Sequence, residues 1–192
     1  MRLFVAIELN DEARAAMDRE RQRLVSAMGA AARDVRWVRP EHLHVTLVFL
    51  GEVAASQSSA VIEALTRNFE QPPYDMTIGG LGIFPTRGAP RALWAGVPAG
   101  FDETVALQSQ VTSRLPTTTH RRSARDTRAF TPHLTLARWR RGHSSRRWML
   151  KQPTHSLAVV PVEGVTLFES RLSRGGPTYT ALARPRLICP RA

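Results

Sequence analysis

The sequence predicts an α+β fold built from two pseudo-symmetric halves, each with an antiparallel sheet and helices, and three observations carry that expectation. Short β-branched and aromatic runs alternate with amphipathic helical segments. One four-residue pattern, His-x-Thr-Leu, occurs at His44 and again at His133, 89 residues later in a chain of 192. No Gly- or Ser-rich linker separates the copies, so residues 1–192 read as one domain with two intertwined lobes and a groove between them.

The elements follow in order. Residues 2–8 (RLFVAIE) form a short apolar run that suits a buried strand. Asn10 or Asp11 suits an N-cap for a helix reaching about Met28, with Ala13, Met17, Leu24 and Met28 near helical spacing and Gly29 as its stop. A short strand is expected over Val35–Val38, then a break at Pro40. His42–Gly51 reads as the clearest strand in the chain. A second helix is expected over Ser58–Phe69, with Val61, Ile62, Leu65 and Phe69 on one face and Pro72-Pro73 ending it. Tyr74–Phe84 and Arg91–Val97 read as paired strands, and Asp102–Leu115 as a third helix. Pro116–Arg128 is expected to be a basic loop and Thr131–Trp139 a strand. A second basic segment, with helical character, then runs to about Lys151. Ser156–Glu169, interrupted at Glu163-Gly164, and Tyr179–Ala183 supply the last strands.

Composition narrows the class. At 43% hydrophobic and 22% charged the chain is globular. No apolar run approaches the ~20 residues that span a bilayer, and the N-terminus lacks the length and cleavage site of a signal peptide. The single Cys189 excludes an intramolecular disulfide and a multi-cysteine metal site. A cytoplasmic monomer is the expectation, with no membrane partner. The net charge is +11, and Lys151 is the only lysine. Arginine's planar fork matches phosphate oxygens two at a time, so the balance favours a polyanionic partner, against the plainer reading of a solvated basic surface. The excess is concentrated between Arg114 and Arg147, which holds ten arginines and one acid, Asp126.

The chemistry lies in the repeat. In a strand, residues i and i+2 share a face. Each copy therefore presents an imidazole beside a hydroxyl: His44 with Thr46, and His133 with Thr135. Val45, Leu47, Leu134 and Leu136 point into the core. One isolated His-x-Thr is most simply a packed strand residue pair; two copies half a chain apart point to a shared cleft. Two imidazoles suit phosphodiester cleavage, one taking a proton from the attacking oxygen and the other giving one to the leaving oxygen. Threonine hydroxyls suit the non-bridging oxygens. His42 also shares the predicted strand face with His44. No carboxylate or third histidine at ligand spacing accompanies that pair, so no metal and no cofactor are expected. His120, His143 and His155 read as solvated.

With these residues in view, the chain resembles the 2H phosphoesterase superfamily, and within it the bacterial and archaeal RNA 2′,3′-cyclic phosphodiesterases once called 2′-5′ RNA ligases. The resemblance runs through RLFVAIEL, WVRPEHLHVTLVFLGEV, LGIFP, LWAGV, FTPHLTLAR and LFESRLSRGGPTYTALAR. It implies a bilobal fold with a central groove, no metal, and RNA ends or nucleotides carrying a 2′,3′-cyclic phosphate as substrate. It further implies His44 as proton donor, His133 as proton acceptor, Thr46 and Thr135 as phosphate ligands, and Arg138 and Phe4 at the nucleotide. Simple alternation sets Arg138 on the face opposite His133, so that role requires a bulge or an early strand end. For Phe4 a core position is the simpler expectation. The sequence departs from the usual pattern at His42, where asparagine is common, and at Thr131, where a basic residue often precedes the proline. Ligation through 2′-5′ bonds, cleavage of 2′-5′ oligonucleotides, and a non-catalytic RNA-binding module are the competing functions.

Overall fold

The computed structural model describes residues 1–116, 129–139, 155–173 and 176–190. Most of the basic Arg114–Arg147 stretch, with the expected loop over 117–128 and the segment to Lys151, lies outside the described residues, as do His120 and His143.

Strand β1 (Arg2–Glu8) leads into helix α1 (Asp11–Met28). The cap is Asn10, whose side chain accepts a hydrogen bond from the Ala13 N–H at 3.1 Å, with Asp11 and Glu12 in the positive first turn. Gly29 ends the helix at φ 54°, a left-handed conformation that suits glycine. Then come β2 (Val35–Trp37), a 3-10 turn (Pro40–His42) and β3 (His44–Glu52). Helix α2 (Ala55–Ala64) is followed by the two-residue β4 (Phe69–Glu70), β5 (Tyr74–Phe84), β6 (Ala92–Ala99) and α3 (Phe101–Arg114). The chain closes with β7 (His133–Trp139), β8 (Ser156–Val162), β9 (Thr166–Ser173), β10 (Gly176–Ala183) and β11 (Leu187–Ile188).

Among the described residues, one antiparallel sheet runs β10-β9-β1-β3-β7-β6-β5-β8, with β2 also paired to β7. The strands carrying the two motifs are the middle pair. On one side lies the unit β1-α1-β3, on the other β6-α3-β7, and each unit keeps the same order and neighbours. The halves interlock: β9 and β10, from the end of the chain, extend the first half beside β1. The helices also cross over, α1 packing against β8 and α3 against β3 and β5. Beneath the sheet the core holds Leu3, Val5, Ile7, Val45, Leu134, Met17, Leu24, Leu107 and Val111, each essentially without solvent contact.

Two expectations are corrected. The second helix starts earlier and ends at Ala64, so it does not reach Phe69. Phe69 is instead pulled into a parallel pair with the chain end, its N–H donating to the Arg186 carbonyl at 2.8 Å. The Arg114 guanidinium covers its ring at 3.8 Å and donates to the Arg67 and Asn68 carbonyls. Tertiary pairing here overrides helical periodicity. The strand carrying the first motif begins at His44 rather than His42. Pro40 fixes a 3-10 turn through His42, so His42 does not share a strand face with His44.

Candidate active site

The two motif strands meet at Val45 and Leu134, which pair across an antiparallel ladder. That register sets His44 opposite Thr135 and Thr46 opposite His133. All four side chains leave the same face of the sheet, because paired residues share a face and Val45 and Leu134 are both buried beneath it. The two histidines are diagonal neighbours, about 7–8 Å apart by the usual sheet spacing.

Each imidazole is fixed in the same way. His44 Nδ1 lies 2.8 Å from the His42 carbonyl, and His133 Nδ1 lies 2.8 Å from the Thr131 carbonyl. A carbonyl only accepts, so both rings carry their hydrogen on Nδ1 and leave Nε2 for the cleft. The residues before the motifs, unusual as they are in type at 42 and 131, thus contribute through their backbone. Each ring also rests on aromatic neighbours. Phe4 lies 4.9 Å from His44 with Tyr179 edge-on at 5.5 Å; Phe84 lies 5.1 Å from His133 with Trp94 at 6.1 Å. Gly82 makes room for this arrangement, since a Cβ there would fall on the Trp94 ring.

A second duplicated feature completes the face. In the β1–β3 ladder Ala6 pairs with Thr46 and Val5 with Val48, leaving Leu47 as an extra residue. In the β6–β7 ladder Trp94 pairs with Thr135 and Leu93 with Ala137, leaving Leu136 extra. Both strands therefore bulge one residue after the threonine, and both bulged leucines are buried. The bulge flips the alternation that follows. Arg138, which unbroken alternation sends to the opposite face, lines the cleft with Thr135, and Phe49 occupies the matching position on β3.

The cleft between the motifs has a volume of about 470 Å³, with His44, Thr46, Thr135, Arg138, Phe49 and Tyr179 among its walls. A neighbouring cavity of about 710 Å³ takes in His133, Arg87 and Arg91, and shares Thr135 and Arg138 with the first. The structure thus brings together all four motif residues and Arg138. Phe4 is 3% exposed and packs against His44, Tyr179 and Phe168 at nearly equal ring distances, and it also lines the cleft. Burial pushes the His44 pKa down to about 4, its carbonyl partner and the Glu8 carboxylate acting in the opposite direction. Among the described residues no three His, Cys, Asp or Glu side chains cluster as a metal site would require.

Sequence reading missed Phe84, Trp94, Arg87, Arg91 and Phe49. The first four come from the β5–β6 hairpin, which no motif marks, and Phe49 is hidden by the bulge. Arg2 and Glu8 were accessible in principle, since alternation along an unbroken β1 sets Arg2, Phe4, Ala6 and Glu8 on one face.

Two matching half-sheets, each delivering a carbonyl-anchored histidine and a threonine to one sheet face over two adjoining cavities, define a phosphoesterase of the two-histidine class. The LigT-like phosphoesterase pattern matches residues 7–94 and again 102–179, once for each half, and the chain belongs to that family. An RNA 2′,3′-cyclic phosphodiesterase of Archaeoglobus fulgidus is 32% identical over 183 residues, 95% of this chain and 98% of its own. The crystal structure of TT0787 from Thermus thermophilus superposes with a TM-score of 0.76 at 30% identity, covering 97% of this chain and 98% of that one. Escherichia coli LigT complexed with 3′-AMP gives 0.73 at 28% identity, covering 97% and 96%. No helix among the described residues is long and apolar enough to cross a membrane.

Proposed function

We propose that the protein hydrolyses 2′,3′-cyclic phosphates at RNA ends or on nucleosides to 2′-phosphomonoesters by histidine acid–base catalysis without a metal. The observation that carries this reading is the pair of Nδ1-anchored imidazoles with free Nε2 atoms on facing strands, each beside a threonine hydroxyl. The names of the relatives agree with the substrate class.

The reaction balances with these groups alone. His133 Nε2 takes a proton from water as its oxygen attacks phosphorus. The bond from phosphorus to O3′ breaks, and His44 Nε2–H delivers a proton to O3′, leaving a 2′-phosphate and a free 3′-hydroxyl. Thr46 and Thr135 donate to the non-bridging oxygens and hold phosphorus between the rings. Arg138, shared by both cavities, is suited to the phosphate charge or to the next nucleotide. His44 is neutral in the empty cleft at pH 7. A bound phosphate anion beside it favours the protonated ring, so its proton arrives with substrate.

The two halves share one sheet and exchange strands, which supports a single working unit over residues 1–192. RNA ends are intracellular substrates, so the proposed compartment is the cytoplasm, and a cleft built from one chain supports a monomer. The test is incubation of purified protein with a nucleoside 2′,3′-cyclic phosphate in excess chelator. The 2′-monoester should appear with wild type and not with His44→Ala or His133→Ala. Turnover by either variant, or loss with chelator that zinc restores, would refute the proposal. A 2′-5′-linked product on cyclic-phosphate oligomers would favour ligation instead.

A further inference from the structure

The two halves of the site are near copies, yet acid–base catalysis needs one imidazole to give a proton and the other to take one. The asymmetry sits on the strands flanking the motifs. On β1, Glu8 pairs directly with His44; on β6, the residue paired with His133 is Gly96. Directly paired residues share a sheet face with Cα atoms about 4.5–5.5 Å apart, so a carboxylate stands beside one imidazole and a bare backbone beside the other. Glu8 also lines, with His44, a small cavity of about 290 Å³ behind the ring.

We propose that Glu8 is a positioning residue that breaks the symmetry of the site, holding the proton on His44 once substrate is bound so that His44 delivers it and His133 accepts. This rests on the acid–base reading above and assigns its polarity. The Glu8 carboxylate is itself held in place: its Oε2 accepts from the Thr166 hydroxyl at 2.6 Å and from the Arg184 guanidinium at 2.7 Å. Other charges face His44. Arg2 and Arg138 line the cleft in front of the ring, while Arg14, Arg184 and Glu41 line the cavity behind. The cations disfavour a protonated ring. The Tyr179 ring packs edge-on against His44 and also meets the His42 ring, and a charge on His42 acts with the arginines against a protonated His44. Of the two carboxylates, Glu41 is largely exposed and screened, at 62%, whereas Glu8 is 28% exposed and occupies the paired position. In the second half no equivalent carboxylate pairs with His133.

The test is the pH profile of kcat at saturating nucleoside 2′,3′-cyclic phosphate and low ionic strength, which reports the proton on His44 in the substrate complex. The group that must be protonated sets the basic limb. Glu8→Gln, which keeps shape and loses charge, should move that limb down by about one pH unit, about tenfold in rate above it, with KM little changed. Glu8→Asp, which keeps charge and changes shape, should leave the limb near its wild-type position. A purely structural role predicts the reverse order of the two variants and overturns the proposal. So does an unmoved limb in a folded Glu8→Gln protein. If Glu8→Gln does not fold, Arg184→Met decides: freeing the carboxylate from its cation should raise the limb, and an unmoved or lowered limb overturns the proposal. Turnover retained by His44→Ala would sink the acid–base reading itself; inactive histidine variants with an unmoved Glu8→Gln limb sink only the role of Glu8.

Discussion

Val45 of β3 pairs with Leu134 of β7, and through that pair the two halves of the site are held in register. Both side chains are fully buried, so the spacing of the catalytic face is set from beneath. Leu134→Ala should cost about 2–5 kcal/mol of stability, the usual range for a buried leucine truncation. Urea melts would measure that loss. A smaller cost with unchanged turnover would show that the halves are registered by something other than this contact.

The threonines are expected to act on the phosphate rather than on the fold, since both are only half-buried and line the cleft. Thr46→Val and Thr135→Val keep shape and remove one donor each. Each should lower kcat/KM by about 10²–10³-fold, the range for losing a preorganised donor, with a melting temperature near wild type. Steady-state kinetics beside thermal melts would separate the two effects.

His44 offers a stability test. Its pKa is about 4 in the folded protein, below the ordinary histidine value of 6.5. Above pH 6.5 neither folded nor unfolded chain binds this proton. Between 6.5 and 4 the unfolded chain binds it first, so stability falls through that window and the loss levels off below it. His44→Gln removes the contribution. The difference in melting temperature between wild type and variant should therefore change steadily from pH 6.5 to pH 4. A difference that stays flat across the window would contradict the burial argument.

Arg138 reaches both cavities because of the bulge at Leu136. Arg138→Met should raise KM more than it lowers kcat and weaken the salt dependence of binding to an oligonucleotide, because one guanidinium–phosphate contact is lost. Arg138→Lys keeps the charge without the two-pronged geometry and should recover only part of the affinity. Titrations at two salt concentrations would read this directly.

Much of this was legible in the sequence for reasons that are local. The Asn10 cap, the Gly29 stop and the apolar spacing of Ala13, Met17 and Leu24 fix α1 by helical geometry alone. The 89-residue repeat, read with a period of two, set His44 and Thr46 on one face and His133 and Thr135 on another. Prediction failed where distant chain competed with local preference. Phe69 left its helical pattern for a pair with the chain end, and Pro40 turned His42 out of the strand.

What the sequence by itself determined was the two motif faces and helices α1 and α3, because side-chain direction follows from backbone period. Only the tertiary structure decided how those faces meet. Strand order, the Val45–Leu134 register and the bulges at Leu47 and Leu136 are properties of pairing between segments, and a bulge reverses alternation without leaving a mark in residue type. The placement of Glu8 beside one histidine and Gly96 beside the other belongs to the same category, because it depends on which strand lies next to which.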